Sequence, residues 1–370
     1  MEKTISMKDY GQVITQLINK ENLSKDDSKE MFMEILSDKQ TAMQQGAFLA
    51  ALSAKGATPA EVAGSFEAIY EVDTFKVEPV TEFPIVDNCG TGMDSFKTFN
   101  ISTVASIIAA AAGIPMAKHG SRALTSVCGT IDVLEALGID MDSNVDLVKE
   151  SIEKAGIGIF NGMSPEVHPV ALGRVLSQIS FGSVLNISAS LANPALPQYG
   201  VRGVYSKEML DFVPQIMAEI GYKRAIVVFG EVGDQAIDEA STLGTTHIAE
   251  LKEDGSVEKY TFNPQDMLIT PGIVDEIRTF NSVEESALCI VRLLKGKETK
   301  TREDIVALNA GLILYLRDKA PSIREGYEMA LELIHNGAAW EKLKTWVNYQ
   351  NRDGVKGLKI LSALEKKVQG

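Results

Sequence analysis

Residues 87–120, DNCGTGMDSFKTFNISTVASIIAAAAGIPMAKHG, followed by SRALTSVCGTIDVLEALG at 121–138, form the stretch that decides the fold. A short run at 85–89 with a β-branched start leads into Gly90-Thr91-Gly92, where the backbone can turn sharply and come close to a ligand. Thr98-Phe99-Asn100-Ile101-Ser102-Thr103 comes next, and the small apolar run 104–112 behind it predicts a tightly packed helix. Asn100, Ser102 and Thr103 therefore stand at a helix start, where free N–H groups and the positive end of the helix dipole gather. With the glycine turn and Asp94 they predict an anion site. The pattern is neither a P-loop, since no Gly-Lys-Ser/Thr closes it, nor the GxGxxG dinucleotide turn.

Working outward, strands near 85–89, 115–118 and 156–160 alternate with helices at 103–112, 129–137 and 144–155. Such alternation implies a mainly parallel sheet with ligands beyond the carboxyl ends of its strands. Lys118-His119 closes one strand and so lies at the ligand end, where an ammonium attracts phosphate. Ser126, Gly129 and Thr130 repeat the turn-then-helix device.

Upstream, helical spacing runs over 10–18, 25–36, 42–54 and 59–70, with start signals at Ser24 and Thr58-Pro59. This is a small all-α unit. The apolar surplus at Met31, Phe32, Ile35 and Leu36 leaves room for a dimer contact. Downstream, 73–83 is a linker, 170–191 returns to a helix, and 224–230 is a strand. Residues 246–262 read as a hairpin turning at Asp254-Gly255, and helices follow at 283–294 and 302–316. The expected fold is α/β plus all-α: a helical domain at 1–72, completed by a helix at about 166–182, and a larger α/β domain from 73–165 and 183–370.

Composition narrows the function. A net charge of -14 without a basic stripe argues against nucleic acid as the main partner. Cys89, Cys128 and Cys289 lack metal spacing, which suits a reduced intracellular protein. The most apolar stretch, 104–117, is too short and too interrupted for a membrane span, and MEKTISMKDYG lacks the core of a signal peptide. A cytoplasmic protein is expected. Asp238 and Glu239, side by side after the 224–230 strand, suit Mg²⁺, which takes one or two carboxylates and completes its shell with water and phosphate oxygens.

GTGMDSFKTFNIST, KHGSR and GTIDVLEALG resemble the phosphoribosyl-diphosphate-binding segments of the anthranilate phosphoribosyltransferase family, and the resemblance runs from the N-terminal helices to about Leu343. It implies the class III nucleoside phosphorylase/phosphoribosyltransferase fold, a homodimer formed through the helical domain, and transfer of phosphoribosyl from 5-phosphoribosyl diphosphate (PRPP) to the amine of anthranilate, with Mg²⁺, for tryptophan biosynthesis. It further implies that Gly90, Thr91, Gly92, Asp94, Thr98, Asn100, Ser102, Thr103, Lys118, Ser126, Gly129 and Thr130 bind PRPP. Lys118 and His119 would be catalytic, and Ser102, Asp238 and Glu239 would hold the metal. On the acceptor side it implies Gly90, His119, Ser121, His168 in FNGMSPEVHP, and Arg174.

Here the chain departs from its relatives' pattern. The family's arginine that pairs with the acceptor carboxylate falls at Leu176 or Gln178, and Arg174 reaches the place only if the helix is shifted. Ser121 replaces the asparagine of KHGNR, Met93 the second glycine of GTGGD, and Cys128 a hydroxyl residue of the second phosphate loop. Three readings follow: the anthranilate enzyme, a sister transferase for another aromatic or base acceptor, and a non-catalytic paralogue binding another ligand. Retention of Lys118, Asp238 and Glu239 argues against the last.

Overall fold

The computed structural model describes residues 5–92, 94–121, 129–179 and 181–369. Four helices open the chain: α1 (Met7–Ile18), α2 (Lys25–Leu36), α3 (Ala42–Lys55) and α4 (Pro59–Val72). Each begins where a Ser or Thr side chain accepts a first-turn N–H, and at α4 Glu61 reciprocates to Thr58 to complete a capping box. Then come β1 (Val86–Gly90), α5 (Ile101–Ala111), β2 (Met116–Gly120), α6 (Thr130–Ala136), α7 (Val145–Ala155) and β3 (Ile157–Asn161). After α8 (Leu172–Gln178) and α9 (Val184–Leu191), β4 (Tyr199–Gly203), α10 (Met209–Glu219), β5 (Arg224–Val232), β6 (Gln235–Ile237), β7 (Thr246–Leu251) and β8 (Val257–Phe262) complete the sheet. The chain closes with α11 (Val283–Leu294), α12 (Lys300–Leu316), α13 (Ile323–His335), α14 (Ala338–Tyr349) and α15 (Gly354–Gln369).

Strand order is β3-β2-β1-β4-β5-β7-β8, with β6 hairpinned onto β5; the first five strands run parallel and β7 and β8 antiparallel. The chain leaves β1 toward β2 on one side and meets β4 on the other. The carboxyl end between β1 and β4 is therefore the topological switch point, where ligands of such sheets bind. One face of the sheet packs with α5, α11, α12, α13 and α14 into a large core, and the other joins α10 and the helical domain in a second core.

Two expectations change. The helix expected across 170–191 is two helices, broken around Gly182, with the Ser183 N–H held by Asn186 Oδ1 at 2.8 Å. The second, α9, buries Val184, Leu185 and Leu191 in the core that the helical unit shares with the sheet. Met31, Phe32, Ile35 and Leu36 are interior to the helical unit, so they offer no dimer surface. No helix of the described residues is long and apolar enough to cross a membrane.

The linker ties the two units together through a carboxylate. Asp73 accepts the N–H groups of Val170, Ala171 and Leu172 at 2.5, 3.0 and 2.6 Å and thereby caps α8. Asn193, fully buried, donates to Ala117 O at 2.8 Å and holds the crossing back into the sheet. At the sheet's edge the Gln350 amide bonds both Ile159 N and Ile159 O at 2.9 Å, so a side chain covers the free strand edge.

Candidate active site

Side chains on a strand alternate between faces, so Lys118 and His119 point to opposite sides of the sheet. This divides the site in two. On the α5 side, Lys118 is buried and its Nζ donates to Asn88 O and, at 3.2 Å, to Ser106 Oγ one turn into α5. Burial pulls its ammonium below the ordinary lysine value.

The loop carrying Asp238 and Glu239 lies directly on this end of the sheet, and glycines make the room. A Cβ on Gly90 would come within 2.4 Å of Asp238 Oδ2, one on Gly203 within 1.7 Å of Asp238 O, and one on Gly230 within 2.3 Å of Glu239 O. Gly90 and Gly203 are cross-strand partners at the switch point. Asp238 Oδ2 accepts Gly92 N at 2.7 Å and Thr91 Oγ1 at 3.3 Å, while Glu239 Oε1 accepts Ser102 N at 3.1 Å. Asn100, at the N-cap position of α5, makes no side-chain cap. The donors expected to hold phosphate are thus aimed at anions, here two carboxylates.

Asp94 lies beside them, buried, with Lys97 Nζ at 3.1 Å. Burial, reinforced by Asp238, pushes its carboxyl up to about 6. Glu239 is raised well above the usual carboxylate range by burial and by Asp238. Among the described residues no Lys or Arg pairs with Asp238 or Glu239 within 4.0 Å. Two hard, mutually repelling carboxylates, Asp238 and Glu239, with no lysine or arginine in ion-pair contact among the described residues, fit Mg²⁺. Among the described residues no group of three or more His, Cys, Asp or Glu could hold a metal, so phosphate oxygens and water would have to complete the shell.

Thr103 is buried at the same helix start, its hydroxyl without a partner, and Thr98 bridges to Arg278 through the main chain. Gly129 caps α6, and Thr130 lies 3.7 Å from where a Gly120 Cβ would stand, so the second turn-then-helix meets the end of β2. Ser126, Met93 and Cys128 lie outside the described residues. Ser121 is exposed just past β2.

The opposite face is assembled from distant segments. His119 faces Ser190 O of α9 at 3.4 Å, and its Nε2 lies 3.3 Å from His168 Nε2, with the rings edge-on and 5.4 Å apart. His168 Nδ1 meets Asp73 O at 2.6 Å, which assigns its proton to Nδ1 and leaves its Nε2 an acceptor; a neutral His119 has one proton, which either His168 Nε2 or Ser190 O takes. Burial lowers both rings and carries His119 down to about 3. Both imidazoles are therefore neutral near pH 7. Gly162 is needed beside them, since its Cβ would stand 2.6 Å from His119 Nε2.

Arg174 is not brought to this face. Its guanidinium donates to Ile35 O at 2.5 Å and Gln45 Oε1 at 3.2 Å and pairs with Asp38 at 3.1 Å, closing the C-terminal end of α2. Among the described residues the arginine that does reach it is Arg202 of β4, which no motif singles out. An arginine inside an otherwise apolar and glycine-rich strand, YGVRG, was the available signal.

Comparison with known proteins finds relatives along nearly the whole chain. Residues 82–340 match a glycosyl transferase family a/b domain and residues 11–72 the helical bundle domain of that family. The anthranilate phosphoribosyltransferase of Methanosarcina acetivorans is 37% identical, over 95% of this chain and 93% of its own. That of Aquifex aeolicus is 34% identical, over 92% and 99%. The crystal structure of the Thermus thermophilus anthranilate phosphoribosyltransferase superposes with a TM-score of 0.82 at 30% identity, over 91% of this chain and 98% of that one. The Saccharomyces cerevisiae enzyme in complex with PRPP and Mg shares the fold, with a TM-score of 0.79 at 23% identity over 93% and 98%.

Proposed function

The chain belongs to the anthranilate phosphoribosyltransferase family, and from that premise we propose that it moves the phosphoribosyl group of PRPP onto the amine of anthranilate, releasing diphosphate. The observation that carries this reading is the switch-point crevice. There Gly90 and Gly203 let the Asp238-Glu239 loop sit against the N-terminus of α5. Main-chain donors, a helix terminus and paired carboxylates converge at one point, as a diphosphate–metal site requires.

Asp238 and Glu239, with Ser102 beside them, are the residues that would hold Mg²⁺, which when bound neutralises charge on the diphosphate. Gly92 N, Ser102 N and the Lys118 ammonium surround the same end of the sheet and stabilise negative charge as it builds on the leaving group. The acceptor amine approaches from the helical-domain face, past the neutral His119–His168 pair. Attack from the side away from the diphosphate inverts the ribosyl carbon. No strong general base lines that face, and an aromatic amine needs none to attack an oxocarbenium-like centre; the protein's work is to position and to stabilise charge.

Two copies would pair through the helical unit, supported by the exposure of Met7, Ile18 and Met43 on α1 and α3. A cytoplasmic enzyme of tryptophan biosynthesis accords with the family and with the three cysteines' lack of pairing pattern. The direct test is fluorescence-monitored loss of anthranilate with PRPP and Mg²⁺. Consumption that needs both is the expected result. PRPP binding without consumption of anthranilate sends the acceptor assignment to another aromatic amine or base.

A further inference from the structure

Arg202 is the penultimate residue of β4, opposite Cys89 on one side and Val227 on the other. Val227 packs into the core shared with the helical domain, so strand alternation places Arg202 on the His119 face and away from Lys118. The residue is only 3% exposed. Its Nη1 lies 3.4 Å from Ser190 O, the oxygen that His119 Nδ1 also faces, and its Nη2 donates to Ser190 Oγ. Its Nε makes no hydrogen bond among the described residues.

Among the described residues the guanidinium has no ion-pair partner. Among the described residues no carboxylate comes within 4.0 Å of it. Asp87 lies on the same face and attracts Arg202 electrostatically from beyond ion-pair distance, but burial raises its carboxyl, and its hydrogen bonds go to the Asn193 amide and the His119 main chain rather than to the guanidinium. Burying a permanent cation with no carboxylate in ion-pair contact is unfavourable unless an anion compensates it. An arginine, unlike a lysine, offers a planar fork shaped for a carboxylate.

We propose that Arg202 binds the carboxylate of the aromatic amine acceptor, with the neutral His119 and His168 rings beside it. The inference rests on the acceptor reading given above and assigns the charged end of that acceptor to one residue. It also accounts for Arg174, whose fork is already filled by Ile35, Gln45 and Asp38. The two ends of the reaction are then served by cations on opposite faces of the same sheet: Lys118 toward the diphosphate and Arg202 toward the carboxylate.

The test compares anthranilate with 2-aminobenzamide, which keeps the shape and the amine but lacks the charge. For wild-type protein, Arg202→Gln and Arg202→Lys, the readouts are anthranilate affinity by fluorescence titration and KM for each acceptor and for PRPP. The expected result for Arg202→Gln is a rise of about a hundredfold in KM and Kd for anthranilate, with KM for PRPP unchanged. Its preference for anthranilate over 2-aminobenzamide should collapse, and Arg202→Lys should recover part of it. Should Arg202→Gln fail to fold, Arg202→Met supplies the same loss of charge at similar volume, and the wild-type preference between the two acceptors remains measurable. Unchanged anthranilate affinity and preference overturn the assignment. So does a parallel decline of donor binding, acceptor binding and thermal stability, which marks a structural arginine. Wild-type protein that neither binds nor consumes anthranilate overturns the acceptor reading as well, and that outcome is visible before any variant is made.

Discussion

The two faces of the sheet at its carboxyl end are built by opposite strategies. On the α5 face the groups proposed to bind are main-chain N–H groups of one segment, at Gly92 and Ser102, met by a single loop at Asp238 and Glu239. On the helical-domain face they are side chains from four separate segments: His119 in β2, His168 before α8, Ser190 in α9 and Arg202 in β4. A main-chain anion site depends on backbone conformation, and its glycine and helix-start signals lie close together in the chain. A side-chain site depends on which distant strands and helices are neighbours. The first can be varied little without losing the fold, whereas the second can be rearranged residue by residue.

The largest expected effect tests the contiguous face. Asp238→Asn combined with Glu239→Gln should lower Mg²⁺-dependent kcat by about a thousandfold, roughly 4 kcal/mol of barrier, with circular dichroism unchanged. Turnover close to wild type would remove the metal assignment. Next, Gly203→Ala should cost about 3 kcal/mol in urea-induced unfolding, because its Cβ has no space beside Asp238 O, 1.7 Å away. An unshifted midpoint would mean that the loop can lift freely.

Lys118→Ala sharpens the division between faces. It should raise KM for PRPP about thirtyfold while that for anthranilate changes less than about threefold, and equal changes would deny that the sheet separates donor from acceptor. A smaller effect belongs to the histidine face. His119 is held down to about 3 from 6.5, so below pH 6.5 the unfolded chain takes up a proton that the folded ring refuses. Stability should therefore be full above pH 6.5 and fall by about 1.4 kcal/mol per pH unit for this ring as the pH drops toward 3. His119→Gln should make the urea midpoint less sensitive to pH between 6.5 and 5. The smallest effect is predicted for Arg174→Ala: a loss of about 1 kcal/mol in stability from the opened end of α2, with KM for anthranilate unchanged. A large rise in that KM would return Arg174 to the acceptor site.

Much of this molecule was legible in one dimension. α2 matches its expected 25–36 bounds, because Ser24 and the acidic first turn mark its start. The strand–turn–helix at 85–112 was readable from small residues and glycines whose roles are local. The break between α8 and α9 was not, since 170–191 carries apolar residues throughout, and it is α9 that docks onto α4. Arg174 and Arg202 show the limit most directly. Both are single arginines in apolar surroundings, and no local feature tells which one faces the cleft.

The sequence by itself determined the alternation of strands and helices, the helical unit at the start, and the glycine turn and helix start at 90–103, because each follows from residues whose conformational preferences act over a few positions. Only the tertiary structure decided that Gly90 and Gly203 stand side by side under Asp238, that His119 meets His168, and that Arg202 rather than Arg174 is turned toward them. Those contacts join residues far apart in the chain, and strand order and helix docking, which are settled by burial of whole faces, create them.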